Sequence, residues 1–311
     1  MPDPKATTLR QQVEIQRLGP GCYVSTRPPT RLGSFNATGF GGNTLAIAVH
    51  AAYQEARKRF HLYSVSGHFI RPVKVDSKLY CHVENLRTST TFQTCEIRVT
   101  QKLENGLDKL CLVALADFHL YEAGSMLTYS TPPEIISLPT LTVNHPMSMA
   151  QPLAPFTHLY QDIDKFVEMH SLGLIRPDSR ARPETPNKVL SPLPLAVYAE
   201  KFRICNSLEN EAEQMSALAF YMDKGLAYLP ALHNGYQPSD ADVCATLDFS
   251  MRLFEYDFDI QSWHATEQKS FVANNARAYS EGRVWDSAGR LLASMTQQTI
   301  LRPRFGITST L

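Results

Sequence analysis

Residues 39–59 read GFGGNTLAIAVHAAYQEARKR, and the rest of the chain is ordered around this stretch. Three glycines, Gly39, Gly41 and Gly42, open it. From Thr44 to about Arg59, Leu45, Ala48, Val49 and Ala52 recur at helical spacing, which predicts a half-buried helix. Strand-like segments follow at Tyr63–Phe69, Leu79–Leu86, Phe92–Lys102 and Leu110–Leu120, with Glu104-Asn105-Gly106 as a hairpin signal between the last two. One helix followed by a run of antiparallel strands predicts an α+β unit whose sheet curls around the helix.

The same order returns later in the chain. Ala212 to about Leu232 reads as a helix with Met215, Leu218, Ala219, Met222, Leu226 and Leu229 along one face, ended by Pro230 and Asn234-Gly235. Strands are expected at Ala245–Phe254, Ser262–Ser270, Asn275–Asp286 and Leu291–Leu301, with Ser287-Ala288-Gly289 as the hairpin turn. Trp263 lies 183 residues after Tyr80, and Gly289 lies 183 residues after Gly106. The coincidence marks an internal repeat. Between the halves, prolines are dense from Pro132 to Pro194, which excludes regular helix or central strand over most of the stretch. Phe156, Tyr160, Phe166 and Met169 interrupt it and suggest ordered docking, with a short helix near 162–170. The reading is therefore one unit over 1–121, a Pro-rich connection over 122–200 and a second unit over 201–311.

Composition narrows the functional classes. The 311 residues are 43% apolar and 19% charged, with 30 basic and 30 acidic side chains. No global field or basic run draws in nucleic acid. No apolar stretch is long enough to span a bilayer, and the polar start Met1-Pro2-Asp3-Pro4-Lys5 is not a secretory leader. Six scattered cysteines form no CxxC pair, so buried or idle thiols in a reducing compartment are expected, with no metal and no cofactor. A GxSxG elbow, HExxH and a phosphate-binding GxxxxGK[ST] loop are all missing, and the glycines at 39, 41 and 42 stop short of GxGxxG. Gly41, Gly42 and Asn43 would instead present backbone N–H groups at a helix N-terminus, a place that favours developing negative charge. The competing reading is a tight turn that lets the helix approach the sheet.

Three segments of the second half carry chemistry. Phe220-Tyr221-Met222-Asp223 sets a carboxylate in an apolar helix. Cys244-Ala245-Thr246-Leu247-Asp248 opens a strand on which simple alternation puts Thr246 and Asp248 on one face. Ala293-Ser294-Met295-Thr296-Gln297-Gln298 places amides in a late strand. Each alone has an ordinary structural explanation: a solvated or paired carboxylate, a good strand threonine, an edge glutamine.

In order and spacing, however, these segments resemble the acyl-CoA thioesterase II (TesB-like) family. The aspartate precedes a Leu-Pro, Thr-Leu-Asp-Phe-Ser-Met over 246–251 is similar to the family's (S/T)-(I/L)-D-x-(S/A)-M, and Gln297 stands in a strand ending Gln-Thr-Ile-Leu-Arg at 298–302. Trp263, Ala276-Arg277, His68-Phe69-Ile70-Arg71-Pro72 and Val83-Glu84-Asn85-Leu86-Arg87 also match. The resemblance implies two tandem hot-dog domains, each an antiparallel sheet wrapped around a central helix. It also implies thioester hydrolysis by direct water attack. Asp223 would be the base, Thr246 and Gln297 would hold the water, and backbone N–H groups near Gly42 and Asn43 would bind the oxyanion and the substrate. The sequence departs from the family at Asn43, where the family has Gln, at Ser66, where it has His, and at Arg252-Leu253-Phe254-Glu255. These departures motivate an alternative on the same fold: release, cyclisation or dehydration of a polyketide-like or fatty intermediate. The expected substrate is an acyl-CoA or carrier-bound acyl group, and the expected assembly a homodimer. The expected location is the cytoplasm; the ending Ser309-Thr310-Leu311 makes the peroxisome the runner-up.

Overall fold

The computed structural model describes residues 6–33, 38–133, 159–175, 197–234 and 236–304. The prolines at 139–155 and 177–194, Phe156, Gly235 and the terminal Ser309-Thr310-Leu311 lie outside these residues.

The first half contains α1 (Leu9–Gln12), β1 (Ile15–Gly19), β2 (Cys22–Ser25), α2 (Gly41–Glu55), β3 (Phe60–Phe69), β4 (Tyr80–Thr88), β5 (Phe92–Lys102) and β6 (Asp108–Leu120). The second contains β7 (Val167–Ile175), β8 (Val197–Ile204), α3 (Glu211–Met222), α4 (Leu229–His233), β9 (Ala241–Leu253), β10 (His264–Asn274), β11 (Arg277–Trp285) and β12 (Leu291–Pro303). The strands join in one sheet in the order β1-β2-β4-β5-β6-β3-β9-β12-β11-β10-β8-β7, every neighbouring pair antiparallel. With β7–β12 matched to β1–β6, this order reads the same from either end. A pseudo-twofold axis therefore crosses the β3–β9 seam, where Ser66 pairs with Ser250 and their hydroxyls hydrogen-bond at 3.0 Å. The two hot-dog units are thus continuous through one sheet, and a single hydrophobic core runs through both.

Helix α2 is more deeply placed than its sequence pattern suggests. Leu45, Ala46, Ile47, Ala48, Val49, Ala51 and Ala52 are all fully buried, and Gln54 near the C-terminus is the one exposed residue of the helix. Strands cover one side and α3 packs on the other. The small side chains of Ala46, Ala48, Ala51 and Ala52 leave room for this packing.

Four expectations are corrected. The helix predicted near 162–170 is instead a turn over 161–166 followed by β7. Phe166 and Met169 imitate helical spacing, but Val167 is buried while Glu168 and His170 pair with cations or solvent on the other side, the alternation of a strand. The stretch read as connection over 122–200 supplies β7 and the start of β8 to the second half of the sheet. Strands β1 and β2, absent from the sequence reading, extend the first half in the same way. The helix expected over 212–232 stops at Met222, because Gly225 adopts φ +90° and redirects the chain before α4. Both glycine hairpins form as expected, with Gly106 at φ +81° and Gly289 at φ +79°.

Candidate active site

The N-terminus of α2, from the first half, meets the C-terminus of α3, from the second. Helix α3 begins at an Asn210 cap whose side chain accepts the Glu213 N–H at 3.0 Å, and ends with Asp223 as its C-cap. A carboxylate at a helix C-terminus faces the unfavourable end of its own dipole, but here the positive end of α2 lies against it. The Gly42 N–H faces the Asp223 carboxylate and favours its charged form. Asp223 is only 7% exposed.

Gln297 and Thr246 complete the arrangement from neighbouring strands. On β12, Ala293, Met295, Gln297 and Thr299 are buried and alternate with half-buried residues, so Gln297 points inward with no exposure. Its Nε2 donates to Asp223 Oδ1 at 2.6 Å. Thr246 Oγ1 donates to Gln297 Oε1 at 3.2 Å. This second bond sets the amide's orientation: the oxygen is occupied by the hydroxyl, so the NH2 faces the carboxylate.

Thr246 reaches this position through a bulge. Asp248 lies opposite Gln298, whereas Thr246 lies opposite Thr299, so Leu247 is an extra residue on β9. Opposed residues share a face and successive residues on β12 do not. Thr246 therefore points inward and Asp248 outward, opposite His68 of β3. The expectation that Thr246 and Asp248 share a face is corrected: alternation fails at a bulge.

Burial pushes the Asp223 carboxyl up to about 7, against the pull of the Gln297 hydrogen bond and the Gly42 N–H. Its second oxygen, Oδ2, lies 2.6 Å from where a β-carbon on Gly41 would stand, and the Phe69 ring is 3.3 Å from the same point. Phe69 in turn packs on Phe249, their ring centroids 5.4 Å apart.

The other first-turn groups are placed differently from the sequence reading. The Asn43 amide is buried and turned away from Asp223: its Oδ1 accepts Gln12 Nε2 at 2.9 Å and the Thr30 N–H at 2.8 Å. The Asn43 N–H is bonded to the Phe40 carbonyl at 3.1 Å. Among the described residues the Gly41 N–H, in the same first turn, has no hydrogen-bond acceptor, while the Gly42 N–H faces Asp223. Ser280 on β11, directly opposite Gln297, is fully buried with no hydrogen-bond partner for its hydroxyl among the described residues. It was not singled out by sequence, since a strand serine carries no signal of its own.

A family model described as acyl-CoA thioesterase N-terminal domain matches residues 29–119, and one described as acyl-CoA thioesterase C-terminal domain matches 150–301. Acyl-CoA thioesterase 2 of Haemophilus influenzae is 24% identical over 268 residues, covering 85% of this chain and 87% of its own length. Among solved structures, an acyl-CoA thioesterase II from Mycobacterium marinum superposes with a TM-score of 0.69 at 18% identity, over 96% of this chain and 99% of that one. A tesB protein from Mycobacterium avium subs paratuberculosis gives a TM-score of 0.68 at 17% identity, over 95% and 98%. These solved structures share the fold.

Proposed function

The chain belongs to the acyl-CoA thioesterase family, and from that premise we propose that it hydrolyses acyl-CoA thioesters with a water activated at Asp223. The observation that carries the reading is the chain of hydrogen bonds Thr246–Gln297–Asp223, which ends on a buried carboxylate whose pKa stands at about 7.

Oδ1 is taken by Gln297, so Oδ2, beside Gly41, is the oxygen available to a water. A base poised near neutral pH is both ionised and basic enough to accept a proton from that water as it attacks the thioester carbonyl. The carbonyl oxygen gains negative charge, and the Gly41 N–H at the positive end of α2 is the donor placed to receive it. Collapse of the tetrahedral intermediate breaks the C–S bond. The thiolate leaves, taking up the proton held by Asp223, and the carboxylic acid product is released. A thiol ionises at about 8–9, so its departure needs no strong acid, and a histidine is not required.

Thiol release from a panel of acyl-CoAs of increasing chain length, run on the native enzyme and on Asp223→Asn, tests this. Hydrolysis by the native enzyme and loss in the variant are expected; an Asp223→Asn enzyme with full turnover refutes the assignment. No observation on the site favours the alternative of release, cyclisation or dehydration of a biosynthetic intermediate.

The proposed setting is a cytoplasmic homodimer. The dimer is what the family resemblance implies; no helix among the described residues is long and apolar enough to cross a membrane. Light scattering on the purified chain checks the dimer, and fractionation of cells checks the compartment.

A further inference from the structure

One residue beyond Asp223, Lys224 is 1% exposed, an unusual place for an ammonium. Its Nζ pairs with the Glu200 carboxylate of β8, which is itself 2% exposed. Glu200 also accepts the Tyr221 hydroxyl on Oε1 at 2.6 Å and the Tyr198 hydroxyl on Oε2 at 3.0 Å. The ammonium lies 4.5 Å from the Tyr160 ring centroid and 5.4 Å from that of Tyr221, and 3.2 Å from Met169 Sδ. Asp164 also feels it, from the turn before β7. Both charges of the pair are thus partnered inside the protein.

A buried ion pair of this kind is a poor source of stability, since well-packed apolar side chains commonly do as well. What it supplies is direction. Lys224 departs from the end of α3 towards β8 and the 160–169 segment, while Asp223 departs towards α2 and β12. The peptides on either side of Lys224 are held too: the N–H of the Asp223–Lys224 peptide donates to the Tyr221 carbonyl at 2.9 Å, and Gln268 Nε2 donates to the Lys224 carbonyl, in the Lys224–Gly225 peptide, at 3.2 Å. Immediately after, Gly225 turns at φ +90° with the Tyr160 hydroxyl 3.1 Å from where its β-carbon would be. A lysine that let go of Glu200 would leave both charges uncompensated in the core, so the peptide plane cannot rotate without a large cost.

We propose that Lys224 and Glu200 are positioning residues of the thioesterase: their buried pair fixes the direction in which Asp223 leaves α3 and thereby sets the turnover rate. The proposal rests on the reading of Asp223 as the base. Nothing in the pair touches substrate, so its loss acts on the geometry of attack.

The test compares the native enzyme with Lys224→Met/Glu200→Gln, which removes both charges at nearly constant volume, with Tyr198→Phe, and with Asp223→Asn. Each is assayed for thiol release from one acyl-CoA well below its melting temperature. For the double variant, kcat is expected to fall roughly tenfold to a hundredfold, the scale of a misplaced catalytic group, with KM held within about twofold. Tyr198→Phe is expected to lose about threefold in kcat alone, the size of one hydrogen bond. It decides the matter by the same split if the double variant fails to fold. Folded variants with native kcat, or with changes confined to KM or melting temperature, while Asp223→Asn is inactive, overturn the positioning role. An active Asp223→Asn overturns the base assignment first, and the positioning role with it.

Discussion

Asp223 Oδ2 and Gly41 are in such close approach that a β-carbon on Gly41 would stand 2.6 Å from the carboxylate oxygen. The two residues come from different halves of the repeat, 182 positions apart in sequence, and neither half alone contains the site.

Gly41→Ala should therefore disable catalysis without unfolding the protein, because the group in the way is the end of a side chain that can swing aside. We expect kcat to fall by about a hundredfold, as for other ångström-scale displacements of a reacting group. Gly42→Ala should behave differently: its β-carbon would stand 2.4 Å from the Phe220 backbone carbonyl, which cannot yield. There the main effect is on stability, read as a lowered melting temperature or insoluble expression.

The pH–rate profile should carry the signature of Asp223. Below its pKa of about 7 the carboxyl is protonated and cannot accept a proton. The profile of kcat/KM should rise about tenfold per pH unit on the acid side and level off above about pH 7. A limb at the ordinary carboxylate range near pH 4 would contradict the buried-base arrangement.

The same shift has a consequence for folding. Asp223 titrates at about 7 in the folded chain against an ordinary value of 3.8, so the folded state holds its proton more tightly. Stability from this group is complete below about pH 4 and is lost as pH rises to about 7. The shift corresponds to about 4 kcal/mol at most. Asp223→Asn should accordingly be more stable than the native enzyme at pH 8, with the advantage shrinking towards pH 4, as measured by chemical denaturation across that range.

Thr246→Val should cost about tenfold in kcat by freeing the Gln297 amide to turn, and Gln297→Leu should cost more. Combining them should add little to the Gln297→Leu loss, because the hydroxyl acts on Asp223 only through the amide. Additive losses would mean that Thr246 touches the water or substrate directly.

Asn43 tests the support of α2. Asn43→Ala strips the acceptor from Gln12 and the Thr30 N–H, both largely sequestered. A loss of about 1–3 kcal/mol in unfolding free energy is expected, with a smaller effect on kcat than Gly41→Ala.

The repeat and the helix-then-strands order of each half are legible in the amino-acid order alone, from helical and strand periodicity and the glycine turns at Gly106 and Gly289. The three polar residues of the candidate site stand out only through their resemblance to a family pattern, since each has an ordinary structural explanation when taken singly. The amino-acid order alone did not reveal β1, β2, β7 or β8, which are short or lie near the sheet edges, and in β1 and β7 a register shift breaks the alternation. Nor did it reveal how deeply α2 is buried, because that depends on α3 lying across it. Which face Thr246 takes is set by strand pairing, since one extra residue at Leu247 reverses alternation and a bulge exists only relative to a partner strand. Only the tertiary structure brought Gly41 against Asp223 and Lys224 against Glu200, because contacts between distant segments are set by how one sheet closes over two helices.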